Sequence, residues 1–256
     1  MFGALLLVFA AVASATSFDP AEAMRLSQAA IGRPVGDVEF TTAQGDRLRL
    51  SGLAGRPVVV SMIYTSCVHV CAPTTAELRR AVRQARATLG ANSFTVLSVG
   101  FDTRNDTPER MGAFARDLKI DDAGWYFASV AQTSAAALSR DLGFTYEPTA
   151  GGFDHLVQTT ILDERGRVYR QIYGQSFLGA TLVDPLRRIR IGSSPVLDGA
   201  PGVLERVRLL CTVFDPKSGR YKFDYSLVLA GILGFIFVLM AALFIGRNWR
   251  ALTRPR

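Results

Sequence analysis

Two of the chain's three cysteines and one of its two histidines fall within the twelve residues from Tyr64 to Thr75. They lie between an apolar run, Val58 to Tyr64, and a run with helical character, Thr74 to Leu89. If Cys67 to Cys71 forms the first turn of that helix, the i,i+4 spacing puts both sulfurs on one face, about 6 Å apart by helical rise. That separation suits a disulfide, and it equally lets two thiolates converge on one metal ion. The partial positive charge of a helix N-terminus favours the thiolate. The stretch therefore reads as redox-active, metal-binding or both. A buried structural disulfide is the plainer alternative, although closing so short a loop would restrict the unfolded chain little.

The second histidine, His155, follows Gly151 and Gly152 in a segment read as a loop leading into a strand. A lone histidine there is ordinarily a surface residue; its scarcity in this chain makes it a ligand candidate. Two thiolates and one imidazole form a soft donor set suited to Cu(I) and tolerant of Cu(II). Zinc would want a fourth ligand, for which His69 or a water could serve.

The elements that must position these groups alternate between strand and helix. Val35 to Leu50 predicts a small hairpin turning at Gln44-Gly45-Asp46, and Pro57 to Tyr64 a buried central strand. A helix from about Thr74 to Leu89 carries Leu78, Val82, Ala85 and Leu89 on one side. Phe94 to Phe101 predicts a second buried strand, and Pro108 with Glu109 opens the next helix. Trp125 to Val130 reads as strand, and Thr133 to Leu142 as helix closed by Gly143. Val157 to Leu162, the turn Asp163 to Gly166 and Val168 to Tyr173 form a hairpin, and Phe177 to Ile189 a last helix. A β-α-β half followed by a β-β-α half is the layout of an α/β, thioredoxin-like fold, which by itself does not define function.

The 256 residues, 49% hydrophobic and 20% charged, suffice for one main domain with appendages. The mean hydropathy of +0.21 is raised by two apolar blocks at the ends. Residues 1–15 end in Ala13-Ser14-Ala15, a signal-peptidase pattern, although no Lys or Arg precedes the apolar run, so an uncleaved anchor is the competing reading. Residues 226–246 carry no charge for twenty-one positions, long enough to span a bilayer as a helix. Arginines and lysines lie on both sides of that span, and the export signal sets its orientation: main domain outside, Arg-rich tail 247–256 in the cytoplasm. The net charge of +7 comes from scattered arginines without an aromatic-interleaved basic motif, which argues against nucleic acid as a partner.

Three separated segments carry a resemblance to a known family. Tyr64 to Cys71, then Val99-Gly100-Phe101-Asp102-Thr103-Arg104-Asn105-Asp106-Thr107-Pro108, then Asp154-His155 followed by a strand and Asp163-Glu164-Arg165-Gly166 resemble the Sco/SenC family in order and spacing. The resemblance covers roughly Arg33 to Gly192. It implies a membrane-anchored, thioredoxin-like protein that binds copper and helps assemble the binuclear copper centre of cytochrome c oxidase, by delivering copper or by reducing target cysteines. It implies Cys67, Cys71 and His155 as ligands of one copper per chain, with Asp102 and Asp106 in supporting roles. The implied partners are the copper-receiving subunit of an oxidase or similar copper enzyme and a copper donor protein. The implied location is the bacterial inner membrane, with the domain facing the periplasm or exterior.

The chain departs from the family's pattern where Val68 replaces a proline after the first cysteine, where Pro73 falls one residue late and where His69 replaces a small or acidic residue. Its anchor is C-terminal rather than N-terminal. Residues 193–225 form a juxtamembrane segment in which Cys211 is either a free thiol or a group for metal transfer or intermolecular pairing. Three readings stay open. A copper-binding assembly factor needs His155, whereas a thiol-disulfide oxidoreductase using Cys67 and Cys71 does not. A peroxiredoxin-like peroxidase is weakest, because a second cysteine four residues on, with a histidine between, is unusual for that chemistry.

Overall fold

The computed structural model describes residues 18–67, 70–174, 179–192, 212–215 and 220–223. The chain divides into two compact units, Met1–Ser193 and Ser194–Arg256. The first opens with helix α1 (Pro20–Ala29), for which the sequence reading has no counterpart. Asp19 caps it by accepting the Ala21 and Glu22 N–H groups, and Pro20 supplies the fixed backbone angle a first helical residue tolerates.

Strands β1 (Glu39–Thr42) and β2 (Arg47–Arg49) form the first hairpin, with Gly45 at φ 88° in its turn. A 3₁₀ turn (Leu50–Leu53) leads to strand β3 (Val58–Ile63), all six residues of which are buried. Helix α2 (Cys71–Leu89) follows, burying Leu78, Ala81, Val82 and Ala85. Taking side chains such as Leu78 and Val82 out of water contributes about 1.5–3 kcal/mol each. Strand β4 (Thr95–Gly100) is again buried throughout. Helix α3 (Pro108–Asp117) starts at the predicted proline, with Thr107 accepting the Arg110 N–H. Strand β5 (Trp125–Val130) and helix α4 (Gln132–Leu142) complete this half, and Gly143 ends α4 in the left-handed region. A side chain at Gly143 would also press within 2.6 Å of the Leu26 carbonyl, because α1 and α4 meet there.

The segment read as a glycine-rich loop is instead a ribbon. Strand β6 (Tyr146–Thr149) pairs antiparallel with strand β7 (Gly152–His155), setting Tyr146 opposite His155. No apolar alternation announces it, since the ribbon keeps mostly exposed or half-buried residues. Strands β8 (Gln158–Leu162) and β9 (Val168–Tyr173) form the last hairpin, and helix α5 (Gly179–Arg190) packs against α2 and β9.

Seven strands make one sheet in the order β2-β1-β5-β4-β3-β8-β9. The central β3, β4 and β5 are parallel, and β1 and β8 join them antiparallel. Buried on both faces, β3 and β4 read as continuous apolar runs, as parallel centres do. The buried amides Gln158 and Gln171 both donate to the Leu142 carbonyl, which satisfies an acceptor left over at the end of α4. The second unit contains, among the described residues, a hairpin of strands β10 (Thr212–Asp215) and β11 (Arg220–Phe223). Residues 1–15, the apolar 226–246 and Cys211 lie outside the described residues, among which no helix is long and apolar enough to cross a membrane.

Candidate metal centre

Strand β3 borders the parallel core beside β4, and the turn after its C-terminal end leads into the N-terminus of α2, the strand end at which function usually sits in such folds. Cys71 is the first residue of α2, three residues earlier than predicted, and Cys67 lies in the turn before it. The two cysteines therefore do not share a helical face. Instead the Cys67 sulfur sits over the helix end and accepts the Cys71 N–H at 3.2 Å and the Val70 N–H. It takes the place of the capping side chain that Val70 cannot supply.

Both cysteines are free thiols, one half-buried and one buried. The hydrogen bond from the Cys71 thiol, aided by these backbone N–H groups and the Tyr64 hydroxyl, lowers the Cys67 pKa to about 5 against the opposing effect of burial. Cys71 moves the other way, because its thiol proton is held by Cys67 and its site is desolvated. One sulfur is a thiolate and its neighbour a thiol, which is the arrangement that makes a cysteine pair reactive.

The turn carrying Cys67 is tied to the core by Asp106. Its carboxylate accepts the Thr65 N–H and hydroxyl, both at 2.7 Å, and the Asp102 N–H at 2.9 Å. Burial pushes the Asp106 carboxyl above its ordinary range, with those donors pulling it back. Gly100 makes room for this carboxylate: a Cβ there would stand 2.9 Å from Met111 Sδ and closer still to Asp106. Asp102 instead accepts the Asn105 amide and organises its own turn.

His155 ends β7 inside an aromatic shell. Its ring lies 5.5 Å from Phe101, 5.4 Å from Phe144 and 6.0 Å from Tyr64, centre to centre. Desolvation lowers its pKa, so the imidazole is neutral near pH 7. Nδ1 bonds the Leu156 carbonyl at 2.8 Å, and since only an N–H can donate to a carbonyl, the proton is on Nδ1 and Nε2 keeps a free lone pair. A backbone carbonyl holding the second ring nitrogen is the usual support of a metal-binding histidine.

The donor set fits a soft copper ion: a thiolate, a thiol that can lose its proton on metallation, and a neutral imidazole. The structure brings Cys67 and Cys71 into contact and sets His155 one tyrosine away, yet among the described residues no three His, Cys, Asp or Glu side chains stand close enough to hold one ion. His69 lies outside the described residues. Sequence reasoning passed over the roles of Tyr64, Thr65, Phe101 and Phe153. Their contacts join segments up to about ninety residues apart, and no local spacing signals that.

The SCO1/SenC family model matches residues 28–189. No curated protein matches the chain. Among solved structures, an Aquifex aeolicus protein is similar at 26% identity and TM-score 0.57, over 62% of this chain and 94% of its own. ScoI of Bradyrhizobium japonicum, solved with copper bound, is similar at 20% identity and TM-score 0.51, over 62% of this chain and 99% of its own. BsSco, described as a member of the Sco family of cytochrome c oxidase assembly proteins with a disulfide switch, is similar at 19% identity and TM-score 0.55, over 63% of this chain and 94% of its own.

Proposed function

Because the chain belongs to the SCO1/SenC family, we propose that it is a copper metallochaperone that assists assembly of the binuclear copper centre of cytochrome c oxidase. Copper is its cargo, carried one ion per chain by Cys67, Cys71 and His155. The observation that carries this reading is the state of His155: a neutral imidazole, its Nδ1 proton engaged by Leu156 and its Nε2 free, on the ribbon beside a thiolate. Cys67 supplies a ready thiolate, Cys71 releases its proton as the metal enters, and Asp106 holds the turn that aims Cys67. Similarity to copper-bound ScoI supports the fold on which such a site is built.

The uncharged segment 226–246 anchors the protein in the bacterial inner membrane, and the export signal in residues 1–15 places the main domain in the periplasm. The copper-receiving oxidase subunit, or a similar copper enzyme, is then the partner, with a copper donor protein upstream. A reporter fused after Arg256 is expected to be cytoplasmic; a periplasmic reporter would reverse this topology.

The thiolate–thiol asymmetry of Cys67 and Cys71 favours a second reading, a thiol-disulfide oxidoreductase that keeps the cysteines of a copper-site target reduced. His155 separates the two. In a copper titration of the reduced protein, His155→Ala is expected to retain far less copper than the parent while its dithiol still reduces a disulfide substrate. Equal copper retention in the two proteins removes the three-ligand carrier and leaves the reductase.

A further inference from the structure

The end of the sheet opposite the cysteine turn is basic. Strand β3 starts there, because its first residue, Val58, pairs with Leu162, where β8 ends, and with Thr95, where β4 begins. The turn after β8 lies against the chain before β3, with the Gly55 N–H donating to the Glu164 carbonyl, and the Arg33 carbonyl accepts the Val168 N–H beside it. Helix α2 connects the far end of β3 to the start of β4 and so runs back to this end, where Arg190 of α5 donates to the Leu89 carbonyl at 2.7 Å. These contacts gather six exposed arginines at one pole: Arg33, Arg56, Arg165, Arg167, Arg187 and Arg190. None of them pairs with a carboxylate among the described residues, whereas Arg79 and Arg83 on α2 share Asp122. Of the acids in the same turns, Asp163 is turned back onto the Arg165 and Arg167 N–H groups, which leaves Glu164 exposed. Ile191 follows Arg190 and is 72% exposed, the one large apolar side chain so placed among the described residues.

Arginines without carboxylate partners, set around an exposed aliphatic side chain, suit a surface that offers both negative charge and apolar depth. An anionic bilayer offers both: its phosphates attract the guanidinium groups, and an apolar side chain enters the boundary between headgroups and acyl chains. An acidic protein face would call for the charge but not for the exposed isoleucine. The course of the chain also favours the bilayer, because α5 ends at this pole and the chain then runs on to the uncharged segment 226–246. We propose that the arginine pole, with Ile191, is a docking surface for anionic phospholipid. This rests on the reading of 226–246 as a membrane span. Helix α2 sets the consequence for the metal centre, since from Cys71 to Leu89 it measures about 27 Å at about 1.5 Å per residue. A domain docked by this pole holds Cys67 and Cys71 at its other end, away from the headgroups and facing the aqueous side. A copper-receiving site that stands clear of the bilayer can meet them there.

The test reads how near backbone amides lie to the headgroups. Isotope-labelled full-length protein is placed in lipid nanodiscs that carry a gadolinium-chelating lipid, whose paramagnetism broadens the amide signals closest to it. In discs of phosphatidylcholine and phosphatidylglycerol, the amides of Arg165 to Arg167 and Arg187 to Ile191 are expected to broaden while those of Thr65 to Cys67 stay sharp. In discs of phosphatidylcholine alone, the pole is expected to be released and its signals to sharpen. One arginine near an anionic surface is worth about a fivefold preference. The variant Arg165→Glu/Arg187→Glu should therefore lose most of the broadening in the anionic discs, with the amide shifts of β3 and β4 unchanged. Pole signals that stay sharp in the anionic discs overturn the proposal and leave an acidic protein as the occupant. Broadening shared equally by the pole and the cysteine turn, or unchanged in the phosphatidylcholine discs, also overturns it. Protein that does not enter the discs at all instead overturns the reading of 226–246 as a span.

Discussion

The cysteine turn is held between a strand with all six residues buried and a helix of 19 residues, whereas His155 rides on a two-stranded ribbon of mostly exposed or half-buried residues. The first is continuous with the seven-stranded sheet; the second forms a sheet of its own. An isolated ribbon is marginally stable in water, so this one keeps its place by seating Tyr146 and Phe153 against Phe101 and Tyr64. The geometry of the sulfurs is therefore a property of the core, and that of the histidine a property of a few aromatic contacts and one glycine. The difference separates the ways in which the site can fail.

The largest effect is expected where the chemistry itself is removed. Cys67→Ser and Cys71→Ser should each abolish copper retention through desalting while circular dichroism stays that of the parent, because serine differs from cysteine in one atom and leaves the packing around the buried Cys71 nearly as it was. Next comes the support of the cysteine turn. Asp106→Ala leaves the Thr65 and Asp102 donors without their acceptor and is expected to cost about 2–4 kcal/mol in urea unfolding, with copper affinity falling in step because fold and sulfurs share that support. A normal urea midpoint in this variant would separate the turn from the core.

The ribbon should behave differently. Gly152→Val introduces a side chain at φ 130° and against the Tyr64 hydroxyl, a strain of about 1–3 kcal/mol that is expected to displace β7. Copper affinity should fall while the rate of Cys67 alkylation at neutral pH stays within a few-fold of the parent. If both fall together, the two regions are one mechanical unit and the contrast between them is lost.

The smallest effect is a pH dependence. With Cys67 lowered to about 5, its alkylation by iodoacetamide should rise through a midpoint near that pH, whereas Cys71, pushed upward, should stay slow through neutrality. For stability, the folded state binds fewer protons at Cys67 than the unfolded chain, whose thiols titrate at about 8.5, so between about pH 5 and 8.5 this group adds stability as pH rises and loses it as pH falls through 5. Cys71 has the opposite sign: its contribution is present below about 8.5 and declines above it. An alkylation midpoint near 8.5 for both thiols would contradict the helix-end placement of Cys67.

Most of the sheet was legible in the amino-acid order, because β3, β4 and β5 are short apolar runs set off by turns, and because Pro108 and Gly143 punctuate their helices in the ordinary way. The start of α2 was not. Cys71 and Pro73 enter the helix because the Cys67 sulfur caps it from outside, and a sulfur cap has no sequence signature comparable to serine or aspartate. The ribbon was hidden for a related reason: Gly151 and Gly152 look like a loop, and the pairing of Tyr146 with His155 is stabilised by Phe101, more than forty residues away. Helix α1 was announced by Asp19 and Pro20, a cap and a first residue, next to a segment whose apolar character drew attention elsewhere. At the site, residue types showed which groups have chemistry to offer, whereas the hydrogen bonds that Thr65 and Asp102 donate to Asp106 depend on contacts that only the fold creates.

The central claim is that copper is held by Cys67 and Cys71 as thiolates, so that the oxidised pair and the loaded pair exclude each other. It is tested most directly by titrating Cu(I), against a chromophoric chelator, into full-length protein prepared with the pair fully reduced and with it fully oxidised. The expected result is one copper per reduced chain and none above background for the oxidised chain, with binding restored by a mild dithiol reductant. Equal copper binding by the two preparations would contradict the account, since an oxidised pair has no thiolate to give.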